Sequence, residues 1–329
     1  MSEALRPDAD AAPSGGHPRP AGSPARAADG RAAPPVLIDP ALLRRWPLPA
    51  PDPDVDKDGR GRVLLVAGSR DLPGAALLAG QAALRAGCGK LCVATGAGIA
   101  PGLALALPEA RVVGLPETAA GGLAPEGADA LATVASETDV LLAGPGLRDE
   151  AACGRFLDKL LRRLPPDTPV LLDALAIAVA PQHGDARRHR LLLTPHAGEM
   201  AALLDVDKAA VLRDAAACAR EVARRLGVLL LLKGAHSHLA APDGRAWRHD
   251  GPREGLPGLA CSGSGDVLAG LIAGLAARGA PPEQAAAWGV ALHAMAARRL
   301  ARRLGPIGYL ARELAAEVPA LMRRYARRG

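Results

Sequence analysis

The residues most suggestive of chemistry lie in a glycine- and serine-rich segment at 260–270, ACSGSGDVLAG. Gly263, Ser264 and Gly265 are small enough for a tight turn in which successive N–H groups point into one space. The helix predicted to follow adds its positive N-terminal end, so the segment predicts an anion hole. Asp266 would lie in the first helical turn, where a carboxylate can accept a proton from a hydroxyl that attacks a phosphoryl group. Taken alone, Asp266 is equally well explained as a helix cap.

Two other segments place polar residues at the ends of predicted strands. Segment 232–237, LKGAHS, brings Lys233 out of the most apolar strand of a chain that has only five lysines. This lysine is a candidate charge partner for a nucleotide phosphate. Segment 193–199, LTPHAGE, leaves His196 and Glu199 near the same edge, although a lone histidine more often has a structural role.

Small residues also follow two further strands. Segment 143–147, AGPGL, forms a loop through which a ligand could approach the backbone closely. Segment 66–76, VAGSRDLPGAA, opens a strand-to-helix crossover with Gly68 and Gly74. Its spacing matches neither GxGxxG nor GxxxxGK[ST], which disfavours an ordinary dinucleotide-binding or P-loop fold.

The elements that must position these segments alternate between short apolar strands and longer alanine-rich helices. Predicted strands are 63–67, 90–94, 111–115, 139–144, 169–173, 190–194 and 228–232. Predicted helices are 74–87, 150–164, 197–204, 208–226, 266–278, 282–303 and 309–322. The pattern predicts a doubly wound α/β fold, with a mostly parallel sheet covered by helices on both faces and ligands beyond the carboxyl ends of the strands.

Composition limits the remaining choices. Residues 1–35 are rich in Ala, Pro and Gly and predict a disordered tail, so residues 36–329 are expected to form a single domain. Aromatic residues make up 2% of the chain, too few for stacking platforms that bind single-stranded nucleic acid, and the net charge of +6 comes mainly from arginine. Five scattered cysteines and the lack of a long apolar run predict a cytoplasmic protein that binds neither nucleic acid nor membrane.

The order of the segments resembles the ADP-dependent NAD(P)H-hydrate dehydratases of the ribokinase-like superfamily. GSGDVLAG alone would indicate only the superfamily, whereas its combination with PGAA and TPHAGE in this order is specific. The resemblance extends from about residue 55 to about residue 322. The motifs that carry it are PGAALLAGQAALRAG, AGPGL, LLDA, LTPHAGE, LLKGAHS, SGSGDVLAGLIAGLAARG, ALHAMAA and GYLARELAAEVPALM.

The resemblance implies roles for individual residues. Asp266 would activate the substrate hydroxyl, and Gly265 would lie at the nucleotide phosphates. The residues implied to hold the rest of the nucleotide are Lys233, Gly234, Ala235, His236 and Ser237. The residues implied to bind the hydrated cofactor are Ala75, Gly146, His196 and Asp266.

The implied reaction transfers the terminal phosphoryl group of ADP to the hydroxyl of hydrated NADH or NADPH (NADHX or NADPHX). Phosphate then leaves and NAD(P)H is restored, with AMP released and Mg²⁺ required. The metal ligands are not identified by the resemblance. A homo-oligomer and a separate NAD(P)HX epimerase are the expected partners.

Three positions depart from the family pattern. Leu175 replaces an aspartate, Leu256 replaces an asparagine, and Arg148 replaces a glycine; the turn, CSGSGD, also differs from the usual form. Two alternative functions remain: an ATP-dependent kinase for a small vitamin precursor, which would share Asp266 and the glycine-rich turn, and a nucleotide-sensing pseudoenzyme, suggested by Leu175 and Leu256.

Overall fold

The computed structural model describes residues 34–50, 54, 57, 59–180, 190–251 and 256–325. Its ten strands form one sheet in the order β1-β10-β9-β8-β7-β6-β5-β2-β3-β4. The strands are β1 (Val36–Leu37), β2 (Arg62–Val66), β3 (Lys90–Gly96), β4 (Arg111–Leu115), β5 (Val140–Ala143), β6 (Pro169–Leu172), β7 (Arg190–Leu193), β8 (Leu229–Leu232), β9 (His236–Ala240) and β10 (Ala246–Asp250). Strands β2 to β8 are parallel, while β9 runs antiparallel to both of its neighbours.

Helices connect most of the strands. They are α1 (Pro40–Arg45), α2 (Pro73–Ala86), α3 (Ala100–Ala106), α4 (Ala132–Ser136), α5 (Glu150–Leu161), α6 (Leu175–Val179), α7 (Ala197–Leu204), α8 (Lys208–Arg213), α9 (Ala215–Leu226), α10 (Ser264–Ala277), α11 (Pro282–Leu304) and α12 (Ala311–Arg323). None of the helices that the structure describes has the length and apolar character needed to cross a membrane.

Apolar side chains fill both faces of the sheet. Along β2, Val63 and Leu65 point to the face covered by α2, α10, α11 and α12, whereas Leu64 and Val66 point to the face covered by α5, α7 and α9. Alternate residues of a strand point to opposite faces, so a strand buried on both sides must be apolar throughout. The predicted doubly wound fold with helices on both faces is therefore confirmed.

The prediction of one helix over 208–226 is wrong. Asp214 separates α8 from α9 with φ −145° and ψ 69°, and its side chain accepts a hydrogen bond from Ala217 N (2.9 Å) as the N-cap of α9. A short polar side chain that can bond to its own backbone favours such a break. Of the predicted tail, residues 1–33 lie outside the described part of the chain.

The N-terminal segment is joined to the far end of the sheet. Strand β1 pairs in parallel with β10, and the ring of Trp46 stacks on that of Trp247 with centroids 6.0 Å apart. The Trp46 carbonyl accepts hydrogen bonds from Trp288 Nε1 (2.8 Å) and Gln284 Nε2 (3.1 Å) of α11. These contacts hold an early segment against residues that follow it by more than two hundred positions.

Helices α2 and α10 pack with almost no space between their backbones. A Cβ built on Gly270 would lie 2.1 Å from the Ala79 carbonyl oxygen, and one built on Gly274 would lie 2.3 Å from that of Ala83. Only glycine in α10, facing alanine in α2, permits this approach. The small residues of the two helices therefore determine where α10 begins.

We expect Gly270→Ala to lower the free energy of unfolding by at least about 1–3 kcal/mol, because the new methyl group overlaps backbone that cannot move independently. Gly102→Ala in α3 is the matched control, since nothing lies within 4 Å of its added Cβ. The control should be neutral or stabilising by about 0.5–1 kcal/mol, because alanine favours helices over glycine. Urea denaturation measures both changes, and equal effects would contradict the packing argument.

Candidate active site

Strands β3 and β4 extend the sheet on one side of β2, and β5 pairs with β2 on its other side. The loops that follow β2 and β5 therefore lie next to each other. Gly68 N donates a hydrogen bond to the Pro145 carbonyl (2.8 Å). Gly146 has φ +66°, and a Cβ on it would lie 2.7 Å from the Cβ of Ala75 and 2.8 Å from the Leu72 carbonyl oxygen. Ala75 and Gly146 are therefore direct neighbours at the point where ligands bind in doubly wound sheets.

A buried ion pair joins the ends of β6 and β8. Lys233 Nζ donates to Asp173 Oδ1 at 2.7 Å, and Thr194 Oγ1 donates to the same oxygen at 2.7 Å. Asp173 is 2% exposed, so its charge depends on these two partners. Sequence reasoning assigned Lys233 but missed Asp173 and Thr194. The available signal was a carboxylate that directly follows a wholly apolar strand.

The first turn of α10 lies beside this ion pair. A Cβ built on Gly265 would lie 3.6 Å from Lys233 Nζ. Gly263 is the N-cap with φ +87°, and Ser264 Oγ donates to the Leu259 carbonyl at 2.7 Å, which fixes the turn. The N–H groups at the start of a helix have no acceptor within it, so they present positive charge together with the lysine.

Asp266 is the third residue of α10 and is half-buried. Burial and, to a smaller extent, the negative charge of Asp173 raise its pKa from 3.8 to about 6, while Lys233 acts in the opposite direction. A base works best when its pKa lies near the working pH. Asp266 is therefore ionised at neutral pH and still basic enough to take a proton from a hydroxyl.

His196 begins α7 and serves as its cap. Its Nδ1 accepts hydrogen bonds from Gly198 N (3.0 Å) and Glu199 N (3.1 Å), and Glu199 Oε2 accepts one from His196 N (2.8 Å). This reciprocal pair is a capping box. The side chain is 60% exposed, and its Nε2 lies 3.4 Å from Glu199 Oε1.

A cavity of about 970 Å³ opens on one side of the α10 N-terminus. One part of its wall consists of His196, Lys233, Gly234, Ala235, His236, Ser237, Ser264 and Gly265, and His249, Gly251 and His293 also line the cavity. Its apolar wall includes Leu256, Leu259, Leu268, Val290 and Ala294. The residues that sequence reasoning assigned to the nucleotide, Lys233 to Ser237 and Gly265, thus share one cavity.

Ala75, Gly146 and Asp266 do not belong to the lining of this cavity. Ala75 belongs to α2, and Gly146 contacts it. Asp266 lies on the same side of the α10 N-terminus: a Cβ built on Gly263 would lie 3.8 Å from Asp266 Oδ2 and 2.4 Å from Cδ1 of Leu78 in α2. The first turn of α10 therefore separates two regions. One is the cavity and the other is the junction of β2 and β5.

The structure shows the contacts of the three residues that depart from the family pattern. Arg148 forms an exposed ion pair with Asp71 (2.8 Å), which links the loops after β2 and β5. Leu175 is half-buried at the start of α6 against the core under α5, and Leu256 lines the cavity. Two of the replacements are thus apolar contacts, and the third is a surface pair.

The known proteins that are similar to this chain have related functions. The sequence profile of the NAD(P)H-hydrate dehydratase family matches residues 63–320. The ADP-dependent (S)-NAD(P)H-hydrate dehydratase of Xanthomonas campestris pv. campestris is 47% identical over 290 residues, which cover 88% of this chain and 97% of that enzyme. The bifunctional NAD(P)H-hydrate repair enzyme Nnr of Moorella thermoacetica is 41% identical over 80% of this chain but only 49% of its own length.

A similar solved structure has the same fold throughout. The ADP/ATP-dependent NAD(P)H-hydrate dehydratase of Bacillus subtilis, co-crystallised with ATP and Mg²⁺, superposes with a TM-score of 0.76 at 31% identity. The match covers 88% of this chain and 99% of that one.

We expect Asp266→Asn to stabilise the fold at pH 7.5 by roughly 2 kcal/mol. The folded-state pKa of Asp266, about 6, exceeds its unfolded value of 3.8, so the native state binds more protons between these values and loses stability as pH rises through them. The amide carries no such penalty. Urea denaturation should show the gain at pH 7.5 and little difference near pH 4; a pH-independent difference would contradict the raised pKa.

Proposed function

The chain belongs to the NAD(P)H-hydrate dehydratase family, and we propose that it catalyses the ADP-dependent dehydration of (S)-NAD(P)H-hydrate. The observation that carries the proposal is Asp266 in the first turn of α10. Its pKa of about 6 and its position beside Lys233 suit a base that acts on a hydroxyl next to a phosphoryl group.

The reaction begins with removal of a proton. Asp266 takes the proton of the ring hydroxyl, and the hydroxyl oxygen forms a bond to the terminal phosphorus of ADP. The bond from that phosphorus to the bridging oxygen breaks, and AMP leaves. The α10 N–H groups and the Lys233 ammonium offset the negative charge on the transferred group.

The second stage is elimination. The ring nitrogen donates electron density, so the new phosphate ester leaves with its bonding electrons. Loss of a proton from the adjacent ring carbon then restores the double bond of NADH or NADPH. Little further assistance is required from the chain, because the ring nitrogen itself supplies the electrons.

The two regions separated by α10 suit the two substrates. ADP occupies the cavity, where Lys233, Gly234, Ala235, His236, Ser237 and Gly265 hold it. The hydrated cofactor lies toward Ala75 and Gly146, with His196 and Asp266 at the boundary between them. This arrangement brings the ring hydroxyl and the terminal phosphoryl group together at the first turn of α10.

The donor set of the chain fits Mg²⁺ that arrives with the nucleotide. Within the described residues, no group of three His, Cys, Asp or Glu side chains could hold a metal by itself. Mg²⁺ typically retains water and binds one or two carboxylates together with nucleotide phosphates. Asp173 and Asp266 are the carboxylates available at the α10 N-terminus, and the ion would neutralise phosphate charge there.

Further parts of the proposal concern the surroundings of the enzyme. We place it in the cytoplasm as a homo-oligomer in which residues 36–329 form one domain, with an NAD(P)HX epimerase as a functional partner. The bifunctional relative, of which this chain spans about half, supports a link between the two repair activities.

We expect the protein to restore NADH absorbance when mixed with ADP, Mg²⁺ and hydrated NADH, and Asp266→Asn to lower this turnover by about 10² or more. The amide keeps the shape of the side chain but cannot take a proton. Asp214→Asn, at the cap of α9, is the matched control and should retain full activity.

The same assay separates the alternative functions. A kinase for a vitamin precursor would restore no NADH absorbance but would phosphorylate its substrate with ATP, whereas a pseudoenzyme would bind nucleotide without turnover. No recovery by the unmodified protein with either ADP or ATP would contradict the proposal, and near-native turnover by Asp266→Asn would leave Asp266 as a helix cap only.

We expect Lys233→Ala to weaken ADP binding by about 1–3 kcal/mol, the range for loss of a charge-assisted hydrogen bond, with little effect on NADPH as a surrogate for the hydrate. Calorimetric titration measures both affinities. The double variant Asp173→Asn/Lys233→Ala removes the carboxylate charge left without its partner, and Lys208→Ala at exposed α8 is a neutral control. Equal losses for both ligands would contradict the assignment of Lys233 to the nucleotide.

A further inference from the structure

One histidine of the cavity wall has no part in the reaction as derived. His293 lies on α11 between Val290 and Ala294, and only 8% of its surface is exposed. Its Nε2 is buried and has no hydrogen-bond partner among the residues that the structure describes. An unpartnered polar atom inside a protein lowers stability unless a bound ligand or water supplies the partner.

The surroundings of this histidine favour its neutral form. Burial above all, together with the nearby charges of Lys233 and His249, lowers the pKa of His293 to about 4. The backbone of Ser264 hydrogen-bonds to the ring and acts in the opposite direction. The ring is therefore neutral at physiological pH, and a neutral imidazole carries one N–H donor and one bare nitrogen that accepts.

The position of His293 indicates which part of a ligand it would contact. On one side it approaches Ser264 and Lys233, where the cavity wall is charged and suits phosphates. On the other side Val290 and Ala294 continue the apolar wall, which suits a flat base. His293 thus lies where the wall changes from charged to apolar, beside the nucleoside of a bound nucleotide.

The chemistry of ADP restricts the contact further. Phosphate oxygens and the ring nitrogens N1, N3 and N7 of adenine are acceptors, which a bare imidazole nitrogen cannot bind. The donors of ADP are the exocyclic amino group of adenine and the hydroxyl groups of ribose. An acceptor in this place therefore selects for an N–H or O–H of the nucleoside.

We propose that His293 is a specificity-determining residue of the cavity, and that its bare ring nitrogen accepts a hydrogen bond from the nucleoside part of ADP. The inference rests on the proposed function, since it requires that ADP occupies this cavity. It gives the buried Nε2 of His293, which no described residue satisfies, a partner in the nucleotide.

The test is calorimetric titration with ADP and three analogues that each lack one donor: inosine diphosphate, 2′-deoxy-ADP and 3′-deoxy-ADP. We expect the unmodified protein to bind one analogue about tenfold more weakly than ADP. His293→Leu should weaken ADP about tenfold without changing the affinity for that analogue, so that the discrimination disappears. His293→Gln should restore part of it, because its amide oxygen can accept.

Controls separate this role from a structural one. His238→Leu on β9 replaces a half-buried histidine outside the cavity and should discriminate like the unmodified protein. Loss of the Ser264 hydrogen bond lowers the melting temperature of His293→Leu whatever the ring contacts, so the role is judged from the discrimination among the four nucleotides, measured well below that temperature. If this variant does not fold, His293→Met provides the same comparison with an unbranched apolar side chain.

The outcomes distinguish the inference from the function on which it rests. If the unmodified protein does not bind ADP, both fail. If it binds ADP but His293→Leu loses affinity equally for all four nucleotides, or keeps the original discrimination, only the role of His293 is overturned.

Discussion

The approach of α2 to α10 is the constraint on which the site depends. Gly270 and Gly274 leave no side chain between the two backbones, so α10 lies directly against α2 and its first turn projects over the carboxyl edge of the sheet. The helix N-terminus, Gly265 and Asp266 are then placed between the junction of β2 with β5 and the cavity beyond β8. A core built from alanine and glycine rather than aromatic rings is what permits this geometry.

The site also depends on how charge is distributed among its ionisable side chains. Two carboxylates and one lysine meet at the ends of β6, β8 and α10, and the lysine is committed to Asp173 at 2.7 Å. Burial and, to a smaller extent, the charge of Asp173 raise the pKa of Asp266 to about 6. The two carboxylates thus lie in different environments: Asp173 holds the lysine, and Asp266 has the raised pKa that suits the proposed base.

Local sequence predicted the parallel strands and most of the long helices, because continuous apolar runs and alanine-rich helices leave a strong pattern. The local pattern did not predict the features that tertiary contacts determine. Asp214 splits a helix that periodicity alone would continue, and β9 and β10 carry polar residues that resemble loops until they pair. Asp173 and His293 acquire meaning only through their surroundings: one becomes buried against Lys233, and the other is left without a partner. Neither burial nor a missing partner can be read from the order of residues.

The pairing of β1 with β10 has a consequence for how the protein is made. Val36, Leu37 and Trp46 meet their partners, Trp247, Arg248 and Trp288, only after most of the chain has been synthesised. At a synthesis rate of about 5–20 residues per second, the early segment waits on the order of ten seconds or more with its apolar side chains uncovered. During synthesis, this edge of the sheet is therefore completed only after the strands β2 to β9 have been made.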